Sequence, residues 1–105
     1  MDISVVVPAY NEEESLPELT KWIERVCLEH QFLAEVIFID DGSTDASWSI
    51  ITALQKEIKG ISVRGIKFQR NYGKSPALYC GFEAVQGDVV ITMDADLQDS
   101  PDEIP

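Results

Sequence analysis

The chain alternates two hydrophobic rhythms. Ile3 to Pro8 is apolar and β-branched, the pattern of a strand covered on both faces. Residues 15–29 then place Leu16, Leu19, Ile23, Val26 and Cys27 at helical spacing on one face, with Ser15 as the expected N-cap and Pro17 tolerated in the first turn. A second apolar run, Val36-Ile37-Phe38-Ile39 within 35–39, stops at Asp40-Asp41-Gly42-Ser43. The next helix is expected to begin near Thr44 or Asp45, to carry Trp48, Ile51, Leu54 and Ile58 on one side, and to stop at Gly60. Ile61 to Phe68 predicts a third strand. After the polar stretch 69–74, a third helix is expected to carry Leu78, Phe82 and Val85 and to close at Gly87. Asp88 to Met93 predicts a fourth strand that runs into Asp94-Ala95-Asp96.

The predicted order is βαβαβαβ in one domain spanning 1–105. Apolar strands separated by amphipathic helices mean an α/β fold: an open, mostly parallel sheet flanked by helices, joined by right-handed crossovers. Strand order 3-2-1-4 would set the topological switch between the first and fourth strands. Ligands of open α/β sheets bind at the carboxyl ends of the strands beside that switch.

Three of the segments at those ends carry acidic residues: Ala9-Tyr10-Asn11-Glu12, Asp40-Asp41-Gly42-Ser43 and Asp94-Ala95-Asp96-Leu97-Gln98. Asp94 and Asp96, two apart, project to one face of an extended strand and can share one divalent cation, with Gln98 offering a neutral oxygen. Oxygen-only ligation suits Mg²⁺ or Mn²⁺, which share their coordination with substrate phosphates. A lone D-x-D is also common in solvated loops; its place after a buried strand favours the metal. Asp40 or Asp41 can accept a hydrogen bond from a base or a ribose, while Asp-Gly and Ser-Thr-Asp also make turns and caps. Lys74 and Arg70 could meet phosphate or be ordinary surface cations. Tyr10 can stack on a base or support its loop.

Charge and composition narrow the reading. A net charge of −11 argues against nucleic acid as a partner, whereas a metal lying between would let an acidic site hold a diphosphate. Apolar residues at 45% fit a globular domain, and the longest apolar runs are far short of the ~20 residues of a membrane span. The N-terminus has no signal-peptide pattern. Cys27 and Cys80 lie on separate helices and are read as small hydrophobes. The single histidine, His30, is expected at a helix end, and Trp22 and Trp48 in packing. Gly73-Lys74-Ser75 imitates the tail of a P-loop, but Phe68 stands where its first glycine belongs and Pro76 follows. No G-x-G-x-x-G follows the first strand. Receiver domains and dehalogenase-type phosphatases need acidic residues after the first strand, where Pro8-Ala9-Tyr10-Asn11 stands.

The strings Pro8-Ala9-Tyr10-Asn11-Glu12-Glu13, Asp40-Asp41-Gly42-Ser43-Thr44-Asp45, Arg70-Asn71-Tyr72-Gly73-Lys74 and Met93-Asp94-Ala95-Asp96-Leu97-Gln98-Asp99 occur in that order. Together they resemble the family 2 glycosyltransferases of the GT-A fold, nearest the dolichyl-phosphate mannose synthase and undecaprenyl-phosphate sugar transferase branch. The resemblance covers essentially the whole chain, and Asp94-Ala95-Asp96-Leu97-Gln98-Asp99 is its most specific part. It implies the Rossmann-like nucleotide-binding half of that fold, with Asp94, Asp96 and Gln98 on a Mn²⁺ or Mg²⁺ ion. Pro8, Ala9, Tyr10, Glu12, Asp40, Asp41, Lys74, Asp94 and Ala95 would lie on the nucleotide. It also implies a UDP- or GDP-sugar donor, transfer with inversion, and a polyprenyl (undecaprenyl or dolichyl) phosphate acceptor. A polysaccharide or protein-glycan acceptor and a non-catalytic nucleotide-binding module are the alternatives. Acceptor-side catalytic residues and membrane-associating segments are expected beyond Pro105, so the piece is expected to be cytoplasmic and its parent to sit at the cytoplasmic face of a membrane. Two departures from the family pattern are Ser75-Pro76, where many relatives have glycine or alanine, and Ser100 in place of a frequent proline.

Overall fold

The apolar runs become strands and the amphipathic stretches become helices in the computed structural model, which describes residues 2–96 together with 101 and 104. In chain order the elements are β1 (Ile3–Ala9), α1 (Leu16–Glu29), β2 (Ala34–Asp40), α2 (Ser47–Glu57), β3 (Ser62–Lys67), α3 (Lys74–Ala84) and β4 (Val89–Thr92). The four strands pair in parallel in the order β3-β2-β1-β4, as the sequence predicts. No helix among the described residues is long and apolar enough to cross a membrane.

Side chains alternate across a strand, so a continuous apolar run supplies both faces of the sheet. Val5, Val7, Val36 and Phe38 join Leu16, Leu19 and Ile23 of α1 and Ile51 and Leu54 of α2 in one core layer. Val6, Ile37 and Ile39 face the other way, onto Ala77 of α3.

Several local expectations are corrected. Ser15 makes no side-chain cap bond to α1; its hydroxyl donates instead to the Ala95 carbonyl. The second helix begins at Ser47, later than expected; ahead of it the Thr44 and Asp45 N–H groups donate to the Asn11 side chain and Asp45 accepts from the Ser47 N–H. It ends at Glu57 with Ile58 extended, so Gly60 is not its stop; the Gly60 N–H donates to Glu24 of α1. The third helix ends at Ala84 and turns Ala77 and Gly81 inward, leaving Phe82 46% exposed. A Cβ on Gly81 would lie 2.4 Å from Val6 Cγ1, so the helix approaches the sheet closely at that turn, with Leu78 and Val85 packing beside it. Ser75-Pro76 lies in its first turn without displacing its start at Lys74. Finally, β4 is shorter than expected and is not covered on both faces: Val89 and Val90 are 54% and 42% exposed.

At the amino ends of the strands one buried carboxylate ties the layers together. Glu35 accepts from Ser4 Oγ at 2.6 Å, Arg64 Nη1 at 2.9 Å and the Gln86 N–H at 2.7 Å, while Ser4 Oγ accepts from the Gly87 N–H at 2.8 Å. Arg64 also reaches the Ala84 carbonyl at 2.8 Å. Burial pushes the Glu35 pKa up, but these donors outweigh it and hold the carboxyl below its ordinary value.

Candidate functional site

At the carboxyl ends, Ala9 and Asp40 stand opposite each other in register, and the Asp41 N–H donates to the Ala9 carbonyl at 2.8 Å. The chain leaves β1 through Asn11 at φ 53°, a left-handed conformation that asparagine tolerates better than most residues. From there the first two loops bind each other. Asn11 Oδ1 accepts from the Thr44 N–H at 2.8 Å and the Asp45 N–H at 3.3 Å. The Asn11 and Glu12 N–H groups donate to Ser43 Oγ at 2.9 Å and Ser47 Oγ at 3.0 Å, and the Glu13 N–H to Asp45 Oδ2 at 3.3 Å. Desolvation pushes the Asp45 pKa up, but the Ser47 hydroxyl with the Ser47 and Glu13 N–H groups together outweigh it and hold the carboxyl below its ordinary value.

The two adjacent aspartates divide the work. Asp40 is fully buried; its Oδ1 accepts from the Ser43 N–H at 3.0 Å, and its Oδ2 has no partner among the described residues. Asp41 faces the ligand edge and accepts from the Tyr72 N–H at 2.8 Å and the Gly73 N–H at 3.0 Å, which fixes the loop ahead of α3. Gly42, at φ +75°, lets that loop come close: a Cβ there would meet the Arg70 carbonyl carbon at 2.3 Å and the Asn71 nitrogen at 2.4 Å. Arg70 packs its guanidinium over the Tyr72 ring, 4.9 Å from its centroid.

Lys74 opens α3, and its Nζ lies 2.7 Å from Asp94 Oδ1 at the end of β4. The result is a cleft of about 390 Å³ at the β1–β4 switch. Pro8, Ala9, Tyr10 and Glu12 line it from β1, Asp41 from β2, Asn71, Gly73 and Lys74 from the α3 approach, and Asp94, Ala95 and Asp96 from β4. Of the sequence-predicted site residues, Asp40 is not among those lining the cleft, Arg70 is directed to Tyr72, and Gln98 lies outside the described residues. Asn71 and Gly73 join the lining, and Asn11 shapes the edge from behind; their residue types do not reveal it.

The donor set suits a hard divalent cation. Among the described residues no three His, Cys, Asp or Glu side chains gather as a metal-holding group, so Asp94 and Asp96 are two carboxylates beside an open cleft. Mg²⁺ is commonly held this way, by one or two carboxylates with phosphates completing its shell. The Lys74 ammonium lies on Asp94, 2.7 Å from its Oδ1.

Comparisons with known proteins identify the family and the fold. The sequence pattern described as glycosyl transferase family 2 matches residues 4–105. An undecaprenyl-phosphate 4-deoxy-4-formamido-L-arabinose transferase of Pseudomonas aeruginosa is 48% identical over 103 residues, which are 98% of this chain and 30% of that protein. Among solved structures, a mannosyltransferase of Pyrobaculum calidifontis in complex with GDP-Man and Mn²⁺ superimposes with a TM-score of 0.78 at 26% identity, covering 90% of this chain and 27% of that one. A glucosyl-3-phosphoglycerate synthase of Mycobacterium tuberculosis, in complex with Mn²⁺, UDP-glucose and phosphoglyceric acid, does so with 0.71 at 28% identity, covering 95% and 35%. The chain thus spans about a third of the length of the proteins it matches.

Proposed function

The chain belongs to glycosyl transferase family 2, and on that premise we propose that it is the nucleotide-sugar-binding part of a metal-dependent glycosyltransferase. The donor is a UDP- or GDP-sugar and the acceptor a polyprenyl phosphate, with undecaprenyl phosphate favoured by the name of the Pseudomonas relative. The protein of which this chain is part acts at a membrane surface, where such an acceptor resides.

The observation that carries the reading is the convergence of Asp41, Lys74, Asp94 and Asp96 on one cleft at the carboxyl ends of the strands. Tyr10, 46% exposed at the rim, offers its ring to the base. Asp41 is tied to the Tyr72 and Gly73 N–H groups and keeps lone pairs for a base N–H or a ribose hydroxyl. Asp94 and Asp96, with Gln98 as the expected third oxygen, hold Mn²⁺ or Mg²⁺. When bound, the cation neutralises the diphosphate and stabilises the charge that develops as the nucleotide departs. A polyprenyl phosphate is already an anion, so its attack at the anomeric carbon, with inversion, needs little help from a general base.

Calorimetric titration with UDP and GDP, each with and without Mn²⁺, tests this. Binding that requires Mn²⁺ and is abolished by Asp96→Asn, with the circular dichroism spectrum unchanged, is the expected result. Unchanged nucleotide affinity in that variant would remove the metal assignment.

A further inference from the structure

We propose that Lys74 is a cation placeholder: its ammonium occupies Asp94 until a nucleoside diphosphate draws it off, so that divalent cation and diphosphate each need the other to bind well. The inference rests on the proposed metal and nucleotide site and adds an order to its filling.

Three observations carry it. The Lys74 Nζ lies 2.7 Å from Asp94 Oδ1, inside the same cleft as Asp96. A divalent cation on Asp94 and an ammonium at that distance repel each other, so the two compete for the carboxylate. The pair is also weak enough to open, since the two side chains are 61% and 39% exposed, and exposed pairs of this kind contribute little. Lastly, only the lysine side chain needs to move. Its backbone is anchored, because the neighbouring Tyr72 and Gly73 N–H groups are bound to Asp41, while its four-carbon stem can swing the charge across the cleft.

A diphosphate entering the cleft offers the ammonium a more highly charged partner. Lys74 would move to the phosphate and make Asp94 available, with Asp96, to hold the cation. Linkage then requires that nucleotide tighten metal binding by the same factor as metal tightens nucleotide binding. Without nucleotide, the lysine suppresses occupation of the carboxylates by stray divalent ions.

The test is Mn²⁺ binding to the purified protein, read from the electron paramagnetic resonance signal of unbound Mn²⁺, with and without UDP or GDP. In the unsubstituted protein, nucleotide should tighten Mn²⁺ about fivefold or more. Lys74→Met, which keeps the length and removes the charge, should bind Mn²⁺ without nucleotide about three- to tenfold more tightly, and the enhancement by nucleotide should shrink by at least that factor. Lys74→Gln should behave like Lys74→Met, and Lys74→Arg should keep the weak nucleotide-free binding. If Lys74→Met and Lys74→Gln, both folded by circular dichroism, bind Mn²⁺ alone no more tightly than the unsubstituted protein while Mn²⁺ and nucleotide still bind together, the placeholder is wrong and the site reading survives. If the folded unsubstituted protein binds neither, both fall together.

Discussion

The loops that follow β1 and β2 are laced to each other through Asn11, Ser43, Asp45 and Ser47, whereas the segments that follow β3 and β4 face each other through the Lys74–Asp94 ion pair, partly in solvent. The strands behind them differ in the same sense. Every residue of β2, and all of β1 but Pro8, is buried, whereas no residue of β4 is fully buried. The β1–β2 side of the cleft is thus cross-linked by several hydrogen bonds, while across from it Lys74 and Asp94 meet as an ion pair of partly exposed side chains. On the proposed function, the cross-linked side would position the nucleotide and the Lys74–Asp94 side would take the metal.

The contrast breaks most completely at Gly42, where the two walls touch. Alanine there would need φ +75° and would drive its Cβ into the Arg70–Asn71 backbone. Gly42→Ala is expected to cost about 3 kcal/mol, combining left-handed strain with a backbone clash. Urea denaturation measures it; a loss below about 1 kcal/mol would mean that the loop ahead of α3 yields easily and that the contact is not fixed.

Glu35 joins the walls at the opposite end of the sheet, and its removal should be the next largest effect. A buried pair broken on one side costs about 3–5 kcal/mol, but the Arg64 side chain is 39% exposed and can turn to water, so about 2 kcal/mol is expected for Glu35→Gln. The pH dependence follows from the lowered carboxyl pKa. Unfolded, the group titrates near its ordinary value of about 4.3; folded, it holds its charge to lower pH. Its contribution to stability is thus complete above about pH 4.3 and is lost as the pH falls through the folded value. Urea midpoints measured from pH 7 downward should fall less steeply in Glu35→Gln than in the unsubstituted chain.

Within the cross-linked side, Asn11→Ala removes the acceptor of the Thr44 and Asp45 N–H groups and leaves a residue less suited to φ 53°. The groups are exposed, so water replaces the lost partner in part, and about 1 kcal/mol is expected. Nucleotide affinity should fall with it, because the β1 loop carries Tyr10 and Glu12 to the cleft.

The same contrast governs what could be read from sequence. The parallel sheet and the acidic edge were legible because β-branched runs such as Val5-Val6-Val7 and Val36 to Ile39 alternate with helical spacing and end on acidic residues; the strand order came from the common arrangement of such folds, and the structure has it. The third helix is legible only in part: Leu78 and Val85 do pack against the sheet, but its closest contacts use Ala77 and Gly81, and small residues at a close approach carry no apolar signal, so Phe82 was placed on a face that it does not join. The start of α2 was misplaced because Thr44 and Asp45 resemble caps, and nothing local shows that Asn11, thirty-odd residues earlier, claims their N–H groups. Asp40 and Asp41 could not be told apart by type. Register separates them, since Asp40 completes β2 inside the sheet and Asp41 is the first residue beyond it.

The smallest expected effect sharpens the comparison because it uses one substitution at two sites. Val36 is fully buried at the centre of the sheet, and Val90 lies 42% exposed on β4. Valine and threonine are nearly isosteric and both suit a strand, so backbone preference cancels and the environment decides. Val36→Thr buries a hydroxyl among Val5, Phe38 and the α1 side chains and should cost about 2 kcal/mol. Val90→Thr exposes its hydroxyl to water and should change stability by less than about 0.5 kcal/mol. Both are read from urea midpoints on the 105-residue chain. A cost at Val90 approaching that at Val36 would show that β4 is covered in solution, and the difference between the two walls would then have to be sought in the loops rather than in the strands.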